Sequence, residues 1–185
     1  MVTSPPKNRH LQRTGFTLVE VLVTMAVLAV AIGMTVSSIT SLSSYGAAAR
    51  ELSLAQGTLF DMVEDLRARP LDQIFADFNE NTADDGPEAF GAAFDVAGLN
   101  AQDDDPDGRV GRILLPEDPL NSAVLREDLD SPELGLPFDL NVDGVIDAGD
   151  HAADYRILPV RIVLEWKGKA GNRRLFADTT LGEWQ

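Results

Sequence analysis

The chain has 185 residues, 30 acids against 15 bases, a formal net charge of −15 and no cysteine. That length suits one domain plus a membrane segment, and the missing cysteine excludes a disulfide framework and any thiolate metal site. The acidity argues against direct contact with nucleic acid, whose phosphates attract Lys and Arg.

Residues 1–15 carry Lys7, Arg9 and Arg13 and no acid, so the rest of the chain holds 12 bases against 30 acids. This leader has no apolar stretch of its own. An ordinary secretory signal places its apolar region ahead of the cut; here the apolar region follows. Residues 15–36 read GFTLVEVLVTMAVLAVAIGMTV, and no charged residue occurs between 21 and 49. A helix of about 20 apolar residues crosses the hydrocarbon core of a bilayer, so this run is long enough to span. The basic leader then stays in the cytoplasm, and the remainder lies on the far side of an inner membrane, most simply in the periplasm. Glu20 is the exception inside the apolar run, and a carboxylate in such surroundings needs a partner.

The residues around it, Arg13-Thr14-Gly15-Phe16-Thr17-Leu18-Val19-Glu20-Val21-Leu22-Val23, resemble the processing site of type IV prepilins and of the pseudopilins of type II secretion. That resemblance implies cleavage after Gly15 by a membrane-embedded prepilin peptidase and methylation of the new Phe16 amine. It also implies assembly with other pilin or pseudopilin subunits into a filament, with Glu20 meeting the terminal amine of a neighbour. Read without the resemblance, the same residues describe an uncleaved signal anchor, which would tether a ligand-binding module in the periplasm.

The helical pattern continues past the span. Leu52, Ala55, Leu59, Met62 and Leu66 recur at steps of three and four and make one apolar stripe. Asp65 and Arg69 stand at i,i+4, which adds slight support, and Pro70 is a plausible stop. One helix is expected from about Phe16 to Arg69: residues 16–37 in the membrane, residues 38–78 amphipathic and packed on a head formed by 79–185. A short helix is expected around 71–78. The run AQGTLFDMVEDLRARPLDQIF resembles, more weakly, the segment after the membrane helix in pseudopilins and minor pilins, and favours a minor subunit.

Between residues 72 and 154 the chain carries 22 acids and three bases, Arg109, Arg112 and Arg126. Like charge at that density repels itself open unless cations neutralise it. Asp139, Asn141, Asp143, Gly144, Val145, Asp147 and Asp150 fit the calcium-loop pattern D-x-[DN]-x-[DN]-G with acids at positions nine and twelve. Ca2+ takes six to eight oxygen ligands. Asp139, Asn141 and Asp143 would turn successive oxygens to one centre, Val145 would give its carbonyl, and Asp147 would act directly or through water. Ile146 would anchor the loop to the core, and Asp150 stands where Glu is usual. The flank SPELGLPF is not helical, so a complete EF-hand is not expected. A second, weaker candidate is Asp103, Asp105 and Asp107 before Gly108, with Glu117 as a distant closing acid.

The C-terminal part alternates and is rich in β-branched residues. Residues 155–166 and 173–181 read as the two strands of a hairpin around a turn at 167–172. Pro159 implies an edge or a bulge. Arg156, Arg161, Lys167, Lys169, Arg173 and Arg174 contrast with the acidic middle and are candidates to pair with it or with an acidic patch on a neighbouring subunit. Segments 89–99 and 109–115 are further strand candidates, and the whole reads as an α+β fold. Catalysis finds little support: the two histidines are His10, in the leader, and His151, read as a solvent-exposed loop residue beside the calcium loop.

Overall fold

The computed structural model describes residues 16–83, 86, 91–169 and 171–182. The leader, with Gly15, lies outside them. The chain falls into two compact units, Met1–Ser43 and Ser44–Gln185, each taken here by itself.

The first unit is helical from Leu18 onward, the start of α1 (Leu18–Ala68). Thr17 opens the helix: its Oγ1 accepts the Glu20 backbone N–H at 3.3 Å. Thr and Glu thus stand at the spacing of a capping box, with the acid in the first turn where the helix dipole favours it. Thr24, Thr35 and Ser38 return their hydroxyls to carbonyls one turn back, so these polar residues fit an apolar stretch without leaving a donor unpaired. Leu18, Leu22, Met25, Leu28, Ile32, Ile39 and the other large apolar side chains of this stretch are exposed. The helix is long and apolar enough to cross a membrane.

In the second unit the expected stripe turns inward. Ala55, Leu59 and Leu66 are buried, and Met62 packs against the same core. Leu52 remains half-exposed. α1 stops at Pro70 as expected, since proline has no N–H and restricts the residue before it. α2 (Leu71–Phe78) then buries Ile74, Phe75 and Phe78 on one face.

The sheet is antiparallel in the order β1 (Ala93–Phe94), β2 (Gly111–Leu114), β5 (Ile157–Gly168), β6 (Gly171–Gly182); β3 (Glu117–Asp118) and β4 (Asn121–Leu125) form a separate ribbon. β5 is central, and Leu158, Val160, Ile162, Leu164 and Trp166 send a period-2 row into the core. The turn between β5 and β6 is tighter than expected: the ladder runs on to Gly168↔Gly171, and the positive φ of 109° at Gly171 suits a residue without a Cβ. Pro159 costs no ladder bond. Glu165 and Lys167 donate their N–H groups away from β6, to Val110 and Asn100, so alternation turns the Pro159 nitrogen the same way. Its position lies past Leu114↔Arg161, where β2 has ended. Gly111 pairs with Phe94, and a Cβ on Gly111 would stand 2.3 Å from the Phe94 ring.

Candidate functional site

Residues 126–155 are built around an alternation just past β4. Arg126 points out and clamps Asp118 and Asp128 at 2.7 Å each. Arg126 holds the Asp128 carboxyl below its ordinary value. That of Asp118 is held down by the Leu120 N–H and then by Arg126. Glu127, the next residue, points in and is fully buried. Its Oε2 accepts the Leu140 N–H at 2.8 Å and its Oε1 the Asp147 N–H at 2.9 Å. A buried carboxylate is tolerated when backbone donors replace its water. Glu127 therefore holds both ends of the acidic loop.

Further bonds attach that loop to the core. His151 N–H donates to the Leu125 carbonyl at 2.9 Å, and Arg156 and Ile157 donate to the Leu140 carbonyl at 2.8 and 3.0 Å. Asp150 Oδ1 accepts from Leu125 N at 3.2 Å and Ala152 N at 3.0 Å. Leu140 is the buried anchor, whereas Ile146, expected in that role, is 48% exposed. Asp147 N–H bonds inward to Glu127, and its neighbour Ile146 faces solvent.

The predicted calcium ligands lie as follows. Asp139 accepts from Val142 N at 2.7 Å and Gly144 N at 2.8 Å. Asn141 Oδ1 accepts from Asp143 N and Asp143 Oδ1 from Val145 N. Gly144 has φ 89° and Val142 φ 63°; the glycine takes that conformation freely and the β-branched valine does not. Asp147 stands in a second grouping, with Glu127 and His151. The potential ligand atoms of these three all lie within 4.8 Å of one another, and they have the donor types and spacing to hold a metal ion.

His151 is not solvent-exposed, as its sequence context suggested, but 6% exposed. Nε2 lies 3.5 Å from Glu127 Oε1 and 3.5 Å from Asp147 Oδ1, while Nδ1 lies 3.2 Å from Asp154 Oδ1. Burial opposes a charged ring here, but Glu127, Asp154 and Asp147 outweigh it and raise the imidazole above its ordinary value. Neither Glu127 nor His151 belongs to the D-x-[DN]-x-[DN]-G pattern. The available signals were an acid between Arg126 and Asp128 and a histidine directly after Asp150.

In the second acidic stretch, Asp103 pairs with Lys167, and Asp107 pairs with Arg112 at 3.2 Å. Asp105 Oδ1 accepts from Asp107 N at 3.3 Å. Glu117, the proposed closing acid, accepts the Glu80 N–H at 3.0 Å. Of the basic hairpin residues, Lys167 pairs with Asp103 and Arg161 with Glu133 at 3.3 Å, while Arg161 also pairs with Asp178 and Arg174 with Glu165 inside the hairpin.

The other candidate positions lie at the N-terminus. Phe16 is 81% exposed and Glu20 is exposed in the first turn of α1. A family model described as the prokaryotic N-terminal methylation motif matches residues 11–36. The chain carries the type IV prepilin/pseudopilin signal. With its apolar helix, this signal marks a type IV pilin- or pseudopilin-like chain and points to membrane anchoring. No curated protein and no solved structure matches the chain.

Proposed function

We propose that this chain is a minor pilin or pseudopilin, a structural subunit of a type IV pilus or type II secretion filament. The observation that carries this reading is the methylation motif over residues 11–36 on a helix whose apolar side chains are exposed on every face through Leu42. Prepilin peptidase cuts after Gly15 and the Phe16 amine is methylated. Residues 16–37 hold the subunit in the inner membrane as a single span, with the leader cytoplasmic and the head periplasmic. On assembly, helices replace lipid around the exposed apolar residues. Glu20 meets the terminal ammonium of an adjacent subunit, a pairing that removes the cost of either charge alone in an apolar setting. The chain contributes packing and not chemistry.

In the same proposal Ca2+ stabilises the head at Asp139, Asn141, Asp143, the Val145 carbonyl and Asp150, with Asp147 acting through a bridging water, and with Asp103, Asp105 and Asp107 as a weaker second site. The alternation of oxygen-bearing residues and the turn at Gly144 support the first loop. The test of assembly is Glu20→Ala in the native host: sheared filaments lose the subunit while its membrane level is unchanged. Normal incorporation would refute the contact. Calcium is tested by melting the full chain in detergent with and without chelator. Chelation should lower the melting temperature and Asp143→Ala should abolish that drop, whereas equal melting in all cases would show that the head holds no calcium.

A further inference from the structure

We propose that Glu127, Asp147 and His151 form a binding site for a divalent transition-metal ion of the zinc class, distinct from the all-oxygen calcium loop. Acidic clusters are common on a chain this acidic, and three close carboxylates would carry no such conclusion. His151 supplies the independent observation. It is 6% exposed, and its Nε2 is buried without a hydrogen-bond partner. That atom points between two carboxylate oxygens, Glu127 Oε1 and Asp147 Oδ1, each 3.5 Å away. An unpaired buried polar atom is costly and calls for a partner.

The ring is oriented for metal. Asp154 Oδ1 is 3.2 Å from Nδ1 and, being charged, is a strong acceptor for an Nδ1 proton; the Asn141 Nδ2, 3.4 Å from the same nitrogen, is a donor and bonds to Asp154 Oδ2 at 3.3 Å. Metal binding displaces any proton on Nε2 and takes up its lone pair. A carboxylate behind the far nitrogen is the usual second partner of a metal-bound histidine, fixing tautomer and ring plane. Spacing agrees as well. Ligand bonds of roughly 2.0–2.1 Å in tetrahedral geometry place donor atoms about 3.3–3.4 Å apart, close to the two 3.5 Å separations.

Room for an ion exists because residue 149 is glycine. A Cβ there would stand 2.7 Å from Asp147 Oδ1 and 3.4 Å from His151 Nε2, crowding both ligand atoms. The donor chemistry selects the ion. Calcium and magnesium favour oxygen sets, whereas imidazole suits zinc, copper, iron and nickel. Three protein ligands, with Asp147 reaching solvent, leave one position to water. The ion would join β4 to the far end of the acidic loop, and the inference does not depend on the filament reading.

The test is zinc binding by the purified full chain in detergent, measured against a chromophoric chelator in excess Ca2+. One Zn2+ per chain is expected, unaffected by calcium and by Asp143→Ala. Gly149→Ala, which removes no donor, and Asp154→Asn, which acts through the ring, should each weaken binding about 10–100-fold, and His151→Ala should abolish it. Co2+ in place of zinc should give a visible absorption band that His151→Ala loses. Absence of binding to the folded wild type, or stoichiometric binding that calcium displaces or that survives His151→Ala and Gly149→Ala, would overturn the site. Melting curves of each variant without metal establish that it is folded, and the calcium test above reads a different residue, Asp143.

Discussion

Two side chains outside the acidic loop decide how the head holds together. Tyr155 Oη donates to the Leu71 carbonyl and accepts from Phe75 N at 3.3 Å, tying the end of the loop to α2. Burial pushes its hydroxyl up to about 12. Tyr155→Phe should destabilise the head by about 1–2 kcal/mol, read from urea unfolding. Because the folded value is raised above the unfolded one near 10, the wild type keeps this stabilisation below pH 10 and loses it as pH rises toward 12. The Arg126 clamp has the opposite sign. Asp118 and Asp128 are depressed in the folded state, so their contribution is present above the unfolded value near 4 and disappears as pH falls through the folded values. Arg126→Gln should flatten the acid limb of stability against pH, chiefly through Asp128, since Asp118 keeps its bond from Leu120. Two residues of the candidate site could not be read from sequence. Glu127 is 12 positions ahead of Asp139, and no spacing rule relates an acid at the end of a strand to a loop that folds back on it. His151 sat among acids and so looked solvated; its burial follows from the backbone bond to Leu125.

Elements were more legible than residues. The 3.6-residue recurrence from Leu52 to Leu66 located the buried side of α1, Pro70 its end, and the β-branched alternation after Tyr155 the long hairpin, because in each case one face must leave water. The β3–β4 ribbon escaped notice: it pairs two residues with five and has little apolar pattern to show. The joint between β1 and β2 gives an element-scale prediction. Gly111→Ala forces a methyl onto the Phe94 ring and should cost about 1–3 kcal/mol in chemical denaturation, a typical penalty for an overfilled core. Phe94→Leu in the same chain should recover part of it, whereas an equal loss in both proteins would show that the ring is not what requires the glycine.

At the scale of the molecule, charge and grease are separated along the chain. Residues 21–49 carry no charge, and 22 of the 30 acids fall between residues 72 and 154. A row of exposed apolar side chains from Phe16 to Leu42 suits lipid first and neighbouring helices afterwards; in water it would aggregate. The acidic middle is neutralised in part by its own hairpin, through Lys167 to Asp103 and Arg161 to Glu133, and the proposed cations complete that neutralisation. The central claim is that the basic leader is removed at Gly15 and the new terminus modified. Intact-mass analysis of the protein extracted from membranes of its native host tests this most directly. A chain beginning at Phe16 and heavier by one methyl group is expected, whereas one that retains residues 1–15 would rule out processing at Gly15.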